Sequence, residues 1–154
     1  MISAWRIVKK RQAAAAFTGE GARQFGGRWN LRGTAVVYTS SSLALAALEL
    51  FVHLGKAQTS IDLVCFQISI PAGVRVEVLP QRRLPADWRV QPVPATTQAI
   101  GSRWVSTCAS AVLQVPSVLI PSEFNLVLNP AHPDFSKLRI TGPKPFGFDD
   151  RMWK

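Results

Sequence analysis

Glu49 and His53 are the only polar side chains in Leu43–Leu54, a run built mostly of Leu and Ala. Such a run predicts a helix. Residues four apart share one of its faces. A helix so apolar is expected to be largely buried. A carboxylate on it must then be paired, neutral or facing a cleft. A satisfied contact from Glu49 to a histidine or arginine fits these residues. So does a carboxylate held at the base of a pocket.

The second candidate is Gly26–Asn30, GGRWN. Paired glycines let backbone pass close to a ligand. Arg28 can grip a phosphate through two parallel hydrogen bonds, and Trp29 can pack beneath or cover an aromatic ligand. The segment matches neither GxxxxGK[ST] nor the dinucleotide GxGxxG, since it precedes a strand rather than following one. A purely structural loop fits it equally well. Tyr38, the only tyrosine, ends the strand that feeds the Glu49 helix. Free backbone N–H groups often meet ligands at such a strand-to-helix step, although an ordinary strand aromatic is also consistent. Ser117, in Val115-Pro116-Ser117, lies on no GxSxG elbow. A nucleophilic serine needs a base, and His53 and His132 are the only histidines. Ser117 is therefore expected to hydrogen-bond a ligand or Glu49. Asn129–Pro133 reads as a turn, and Asp149-Asp150-Arg151 as an ion-pair lock.

The elements that must position these groups are short. Ala4–Val8 and Ala35–Thr39 read as strands, separated by a long irregular segment over residues 18–33. Ser40-Ser41-Ser42 offers N-cap hydroxyls to the Glu49 helix, which Gly55 and Lys56 should end. Strands are predicted over Ile61–Ile70 and Arg75–Leu79, with a turn at Pro71–Gly73 between them. Residues 80–95 read as loop, and Thr96–Leu113 as a helix with Ile100, Trp104, Cys108 and Val112 at a spacing of four. Ser117–Ile120, Asn125–Leu128 and Lys137–Ile140 complete the strands. Many strands with two helices indicate a single α+β domain.

The chain has 154 residues, the size of one domain, with 47% hydrophobic and only 18% charged residues. Intrinsic disorder is excluded by that balance. Net charge is +9, and residues 1–33 hold seven cations against Glu20 alone. Twelve of the eighteen cations are arginine, whose planar fork suits phosphate and carboxylate. An anionic partner is implied: a nucleic acid, a phosphorylated small molecule or an acidic protein. Cys65 and Cys108 form no CxxC and no metal spacing with the histidines, so no metal site is expected and both read as inert core residues. No apolar run reaches the length of a membrane span or a signal-peptide core, so a cytoplasmic protein is expected.

Taken in order, Trp5-Arg6, Gly26–Asn30, Tyr38-Thr39-Ser40, Glu49, Trp104, Val115-Pro116-Ser117, Asn125, Asn129-Pro130 with His132, and Phe148-Asp149 with Arg151 resemble the RES-domain family of bacterial toxins. The family is named for an Arg, a Glu and a Ser, which the resemblance places at Arg28, Glu49 and Ser117 as catalytic residues. It implies a compact fold similar to ADP-ribosyltransferases, with mixed or antiparallel sheets and a few helices. It also implies action on NAD⁺ as substrate, with no prosthetic group, by breaking the nicotinamide–ribose bond. Arg6, Arg28, Trp29, Tyr38 and Asn125 would then bind the dinucleotide. Glu49 would stabilise an oxocarbenium-like ribose, Tyr38 would stack on nicotinamide, and Ser117 would orient Glu49 or the ribose. The acceptor (water, phosphate or a protein) stays open, as does a homodimer.

The implied partner is an Xre-type antitoxin, through which alone the protein would meet DNA. Lys9, Lys10, Arg11, Arg23 and Arg32 would remain for its acidic surface. Transfer of ADP-ribose to a specific protein is one alternative. A basic nucleic-acid-binding module or RNA-cleaving toxin is another, favoured by the charge but unsupported by any RNA-recognition or helix-turn-helix signature.

Overall fold

A computed structural model describes residues 1–54 and 60–153. Seven strands form one sheet: β1 (Ile2–Lys9), β2 (Val37–Ser40), β3 (Leu63–Ile70), β4 (Val76–Val78), β5 (Val112–Pro116), β6 (Phe124–Leu128) and β7 (Arg139–Phe146). Among the described residues three α-helices accompany them: α1 (Glu20–Phe25), α2 (Leu43–Phe51) and α3 (Ala95–Ser106). The sheet order is β4-β5-β6-β2-β1-β3-β7. Only β4 and β5 run parallel, so the sheet is mixed and the fold is α+β, as expected.

Register decides what shares a face. Tyr38 pairs with Val127 and Ser40 with Asn125. Leu113 and Val115 pair with the same two residues of β6, and Trp5 pairs with Ser40. Side chains alternate along a strand, so Trp5, Tyr38, Ser40, Asn125 and Val115 lie on one face. The opposite face carries Val37, Val112, Leu126 and Leu128 in a core with Ala4, Ile68 and Ile70.

Several elements differ from the sequence reading. The segment 18–33 is not irregular throughout, because α1 occupies Glu20–Phe25. Its glycines mask a helix closed by Arg23 and Gln24 bonding back to Glu20, the spacing that links successive turns. α3 stops at Ser106 rather than Leu113. Cys108 takes a positive φ of 52°, the chain reverses, and Val112 and Leu113 enter β5. Cys108 is consequently exposed, while Cys65 is buried. Ser117–Ile120 is not a strand but the turn that follows β5. β7 continues to Phe146 through Pro143 and Pro145, which an edge strand tolerates.

α2 begins as expected, with the Ser42 hydroxyl accepting from Leu45 N at 3.0 Å. The predicted stop at Gly55 and Lys56 lies outside the described residues. α2 is less buried than its composition implies: only Leu45 and Ala46 are fully buried. It packs Ala46 on Ile7, Leu63 and Cys65, Phe51 is covered by Phe148 and Trp153, and another flank faces a cavity. No helix among the described residues is long and apolar enough to cross a membrane.

Candidate active site

The cavity holds about 610 Å³ and is walled by α2, by the middle of β1 and the end of β2, by the start of α1 and by the 26–29 turn. Glu49 and His53 line it from α2, Tyr38 and Ser40 from β2, Arg6 from β1, Arg28 from the turn and Asn125 from β6. Six of the seven residues anticipated for the site therefore line one cavity: Arg6, Arg28, Trp29, Tyr38, Glu49 and Asn125.

Glu49 is fixed by one of its two oxygens. Oε1 accepts from Ser117 Oγ at 2.8 Å and from Asn125 Nδ2 at 2.8 Å. A hydroxyl has a single proton to give. Ser117 gives it to Glu49 while its oxygen accepts from Leu119 N and Ile120 N at 3.1 and 3.2 Å. The turn after β5 thus aims a pre-oriented donor at the carboxylate. Ser117 is fully buried and is not among the residues lining the cavity. Of the two partners anticipated for it, ligand or Glu49, the geometry selects Glu49. The Ser117 hydroxyl is thus committed to Glu49, behind the residues that line the cavity.

The two arginines are held by carbonyls. Arg6 Nε donates to Ala16 O at 2.7 Å and Nη1 to Tyr38 O at 2.9 Å. Burial pushes its guanidinium pKa down to about 10, since low dielectric disfavours the charged form. Arg28 Nη1 donates to Trp88 O and Val90 O at 2.8 and 3.1 Å. Desolvation lowers its pKa, opposed by the charge of Glu49 and by Tyr38. Among the described residues neither guanidinium forms a salt bridge. Each keeps Nη2 uncommitted, so the cavity presents two cations with no ion-pair partner, Arg28 feeling Glu49 only through space. Arg23, grouped at first with the free cations, instead forks onto Glu20 at 2.5 and 2.8 Å.

The aromatic residues divide. Trp29 is 3% exposed and packs against Trp88 with ring centroids 6.0 Å apart. It lies beneath the cavity in a core with Trp104 and Val115 and does not cover it. Tyr38 presents its ring, while its hydroxyl donates to Asn30 Oδ1 at 2.5 Å and accepts from Trp29 N at 3.0 Å. Burial holds this phenol protonated well above the usual tyrosine range. Gly27 lies against the ring: a Cβ there would meet Tyr38 Oη at 2.6 Å.

Sequence reasoning missed two supports, Gln98 and Gly101, both on α3. Gln98 Nε2 donates to Gly27 O at 3.0 Å. A Cβ at Gly101 would fall 1.7 Å from Trp29 O, so α3 and the turn touch through backbone. A glycine inside a helix is the signal that could have revealed this contact. The other marked segments are structural. His132 Nδ1 caps the turn at Asp134 N, and Arg151 pairs with Asp149 at 2.8 Å on the surface.

The model of the RES domain matches residues 3–149. Toxin Res of Yersinia enterocolitica is 42% identical over 149 residues, covering 96% of this chain and 97% of its own length. The Prs ADP-ribosylating toxin of Sphingobium sp. is 38% identical over 154 residues, covering 97% and 96%. Among solved structures, a chain from the crystal structure of the M. tuberculosis MbcT-MbcA toxin-antitoxin complex aligns with a TM-score of 0.74 at 19% identity. That alignment covers 95% of this chain and 84% of the other, and it shows a shared fold. With its matching order of residues, a family model spanning almost its whole length and toxin relatives at nearly full coverage, the chain belongs to the RES domain family.

Proposed function

We propose that the protein is the toxin of a toxin–antitoxin pair and that it acts on NAD⁺ by cleaving the bond between nicotinamide and ribose. The observation that carries this reading is the tethered Glu49 carboxylate in a cavity with two arginines that form no salt bridge among the described residues. A pyrophosphate supplies the missing anion to Arg6 and Arg28. The Tyr38 ring offers a stacking surface to nicotinamide. Glu49 Oε2, free of Ser117 and Asn125, faces the ribose and offsets positive charge as the glycosidic bond lengthens.

In that step the C1′–N bond breaks and its electron pair stays on the pyridine nitrogen. Nicotinamide leaves neutral, so no strong acid is required. The ribosyl cation is then captured by an oxygen nucleophile, which loses a proton. Water or phosphate as that nucleophile gives net NAD⁺ depletion. The partner is an Xre-type antitoxin that covers the cavity, and the naming of the MbcT-MbcA complex as toxin and antitoxin supports a partner of that role. NAD⁺ is substrate here, and the reaction calls for no prosthetic group.

The decisive experiment is nicotinamide release from NAD⁺ by purified protein. Release by the wild type and its loss in Glu49→Ala are expected. Equal slow turnover by both would overturn the proposal.

A second reading is transfer of ADP-ribose to a specific protein. It is favoured by the Sphingobium relative named as an ADP-ribosylating toxin. The same residues serve it, with a protein side chain as nucleophile. Labelled NAD⁺ in a cell extract separates the two: a discrete labelled protein band supports transfer, and free products alone support depletion.

A further inference from the structure

Asn30 is the most heavily bonded side chain near the cavity, yet it does not line it. It is fully buried. The two protons of its Nδ2 go to Ala22 O at 2.8 Å and Thr34 O at 3.0 Å, with Leu31 O at 3.3 Å sharing one of them. Its Oδ1 accepts from the Tyr38 hydroxyl at 2.5 Å. The backbone closes the same unit, with Gly27 N donating to Asn30 O at 3.1 Å and Trp29 N donating to the Tyr38 hydroxyl at 3.0 Å. Arg28 sits between Gly27 and Trp29. The backbone on both of its sides is thus tied, one side to Asn30 and the other to the tyrosine that Asn30 holds.

We infer that Asn30 is the positioning residue of the substrate site, acting through Tyr38 and the 27–30 turn to fix where Arg28 and the tyrosine ring meet the ligand. This rests on the NAD⁺ reading above and deepens it. The amide is specifically required. One end must donate to carbonyls while the other accepts from a phenol, and among side chains only an amide offers both in this planar form. Aspartate has the same size and still accepts from the phenol, but it turns the donor contacts to carbonyls into oxygen–oxygen repulsions; leucine lacks both functions. Glutamine carries the right groups one methylene too far. Without the link the phenol loses its acceptor, the turn loses its tie to α1, and Arg28 is no longer fixed at both neighbouring residues.

Arg28 grips the pyrophosphate, and the Tyr38 hydroxyl holds the turn that carries Arg28; neither contact changes in the reaction. Loosening them removes binding shared by ground state and transition state, which raises KM and spares kcat. A role confined to stability would do the opposite. It would lower the folded fraction and the apparent kcat at unchanged KM.

The test uses Asn30→Leu, which removes the acceptor at nearly the same size, and Tyr38→Phe, singly and together, with nicotinamide release measured against NAD⁺ concentration. Tyr38→Phe keeps the ring and cuts the same link from its other end, so it serves if Asn30→Leu folds poorly. Each single variant is expected to raise KM by about tenfold, the loss typical of a hydrogen bond holding a charged group, with kcat changed less than about twofold. The double variant should be no worse than the weaker single, because both cut one linkage. Unchanged KM in both singles, or effects that multiply in the double, would overturn the role of Asn30. A wild type that leaves NAD⁺ intact would instead overturn the functional reading.

Discussion

The Ser117 hydroxyl donates to Glu49 Oε1 at 2.8 Å across 68 positions of sequence. It makes that bond while accepting two backbone N–H groups, which polarise the hydroxyl towards the carboxylate. Glu49 therefore keeps one rotamer with a free oxygen towards the cavity. Ser117→Ala is expected to lower kcat by roughly 10- to 100-fold, in line with about 1.5–3 kcal/mol for a hydrogen bond to a charged group. KM should change little. Steady-state nicotinamide release checks this, and a KM effect alone would contradict the positioning role.

Arg6 and Arg28 differ in what they owe to a ligand. Arg6 is the more buried and has no counter-charge, so a bound pyrophosphate relieves an existing cost. Added ADP-ribose should therefore raise the melting temperature of the wild type, since a ligand that binds only the folded state stabilises it. In Arg6→Gln that shift should vanish. Arg28→Lys should raise KM by about tenfold or more, because one ammonium cannot reach both Trp88 O and Val90 O and still present a fork to phosphate. Thermal scans with and without ADP-ribose, together with KM values, test both claims.

Two glycines in helices should respond in opposite directions. At Gly101 an added methyl meets the Trp29 carbonyl at 1.7 Å, and neither backbone can yield cheaply. Gly101→Ala should cost about 3 kcal/mol or more by overpacking, a fall of roughly 6–12 °C for a domain this size. At Gly21 in α1 nothing lies within 4 Å of the added carbon. Gly21→Ala should raise stability by about 0.5–1 kcal/mol. Urea unfolding of the pair is the check.

The single tyrosine gives a pH test. Burial raises the Tyr38 phenol above its ordinary value, so the native state keeps a proton that the unfolded chain releases near pH ~10. The unfolded state then binds fewer protons, and stability falls as pH rises through and above that value. Below it the contribution is fully present. Arg6 acts in the opposite sense, because its folded pKa is lowered to about 10 and stability from that group rises with pH above it. Comparing wild type with Tyr38→Phe isolates the tyrosine. The wild type should lose more stability between pH 9 and 11, and its phenolate absorbance should appear only on unfolding.

Much of the site was legible because local chemistry announces it. An apolar helix with one carboxylate, a serine cap and an arginine after two glycines are all short-range patterns. The ordered resemblance then joined Glu49 to Ser117 and Asn125. What stayed hidden depends on contacts between distant segments. That Leu119 N and Ile120 N aim the Ser117 hydroxyl follows from the turn after β5, which reads as a strand by its apolar content. That Trp29 lies beneath the cavity follows from Trp88, 59 positions away, whose surroundings read only as a proline-rich loop. α1 was concealed by glycines, and the end of α3 by an apolar spacing that β5 also satisfies. The bridge from Asn30 to Tyr38 leaves no trace in periodicity at all.

β7 bounds the sheet with Pro143 and Pro145 in a strand exposed along nearly all its length. Each proline removes a backbone donor, and Lys144 adds a charge between them. Such an edge resists hydrogen-bonding to another strand. At the far side β4 offers only three residues. Neither border is suited to growth by strand addition. A second copy or an inhibitor would therefore have to recognise this protein through side chains on its faces and loops, and intermolecular sheet aggregation is discouraged even at high expression.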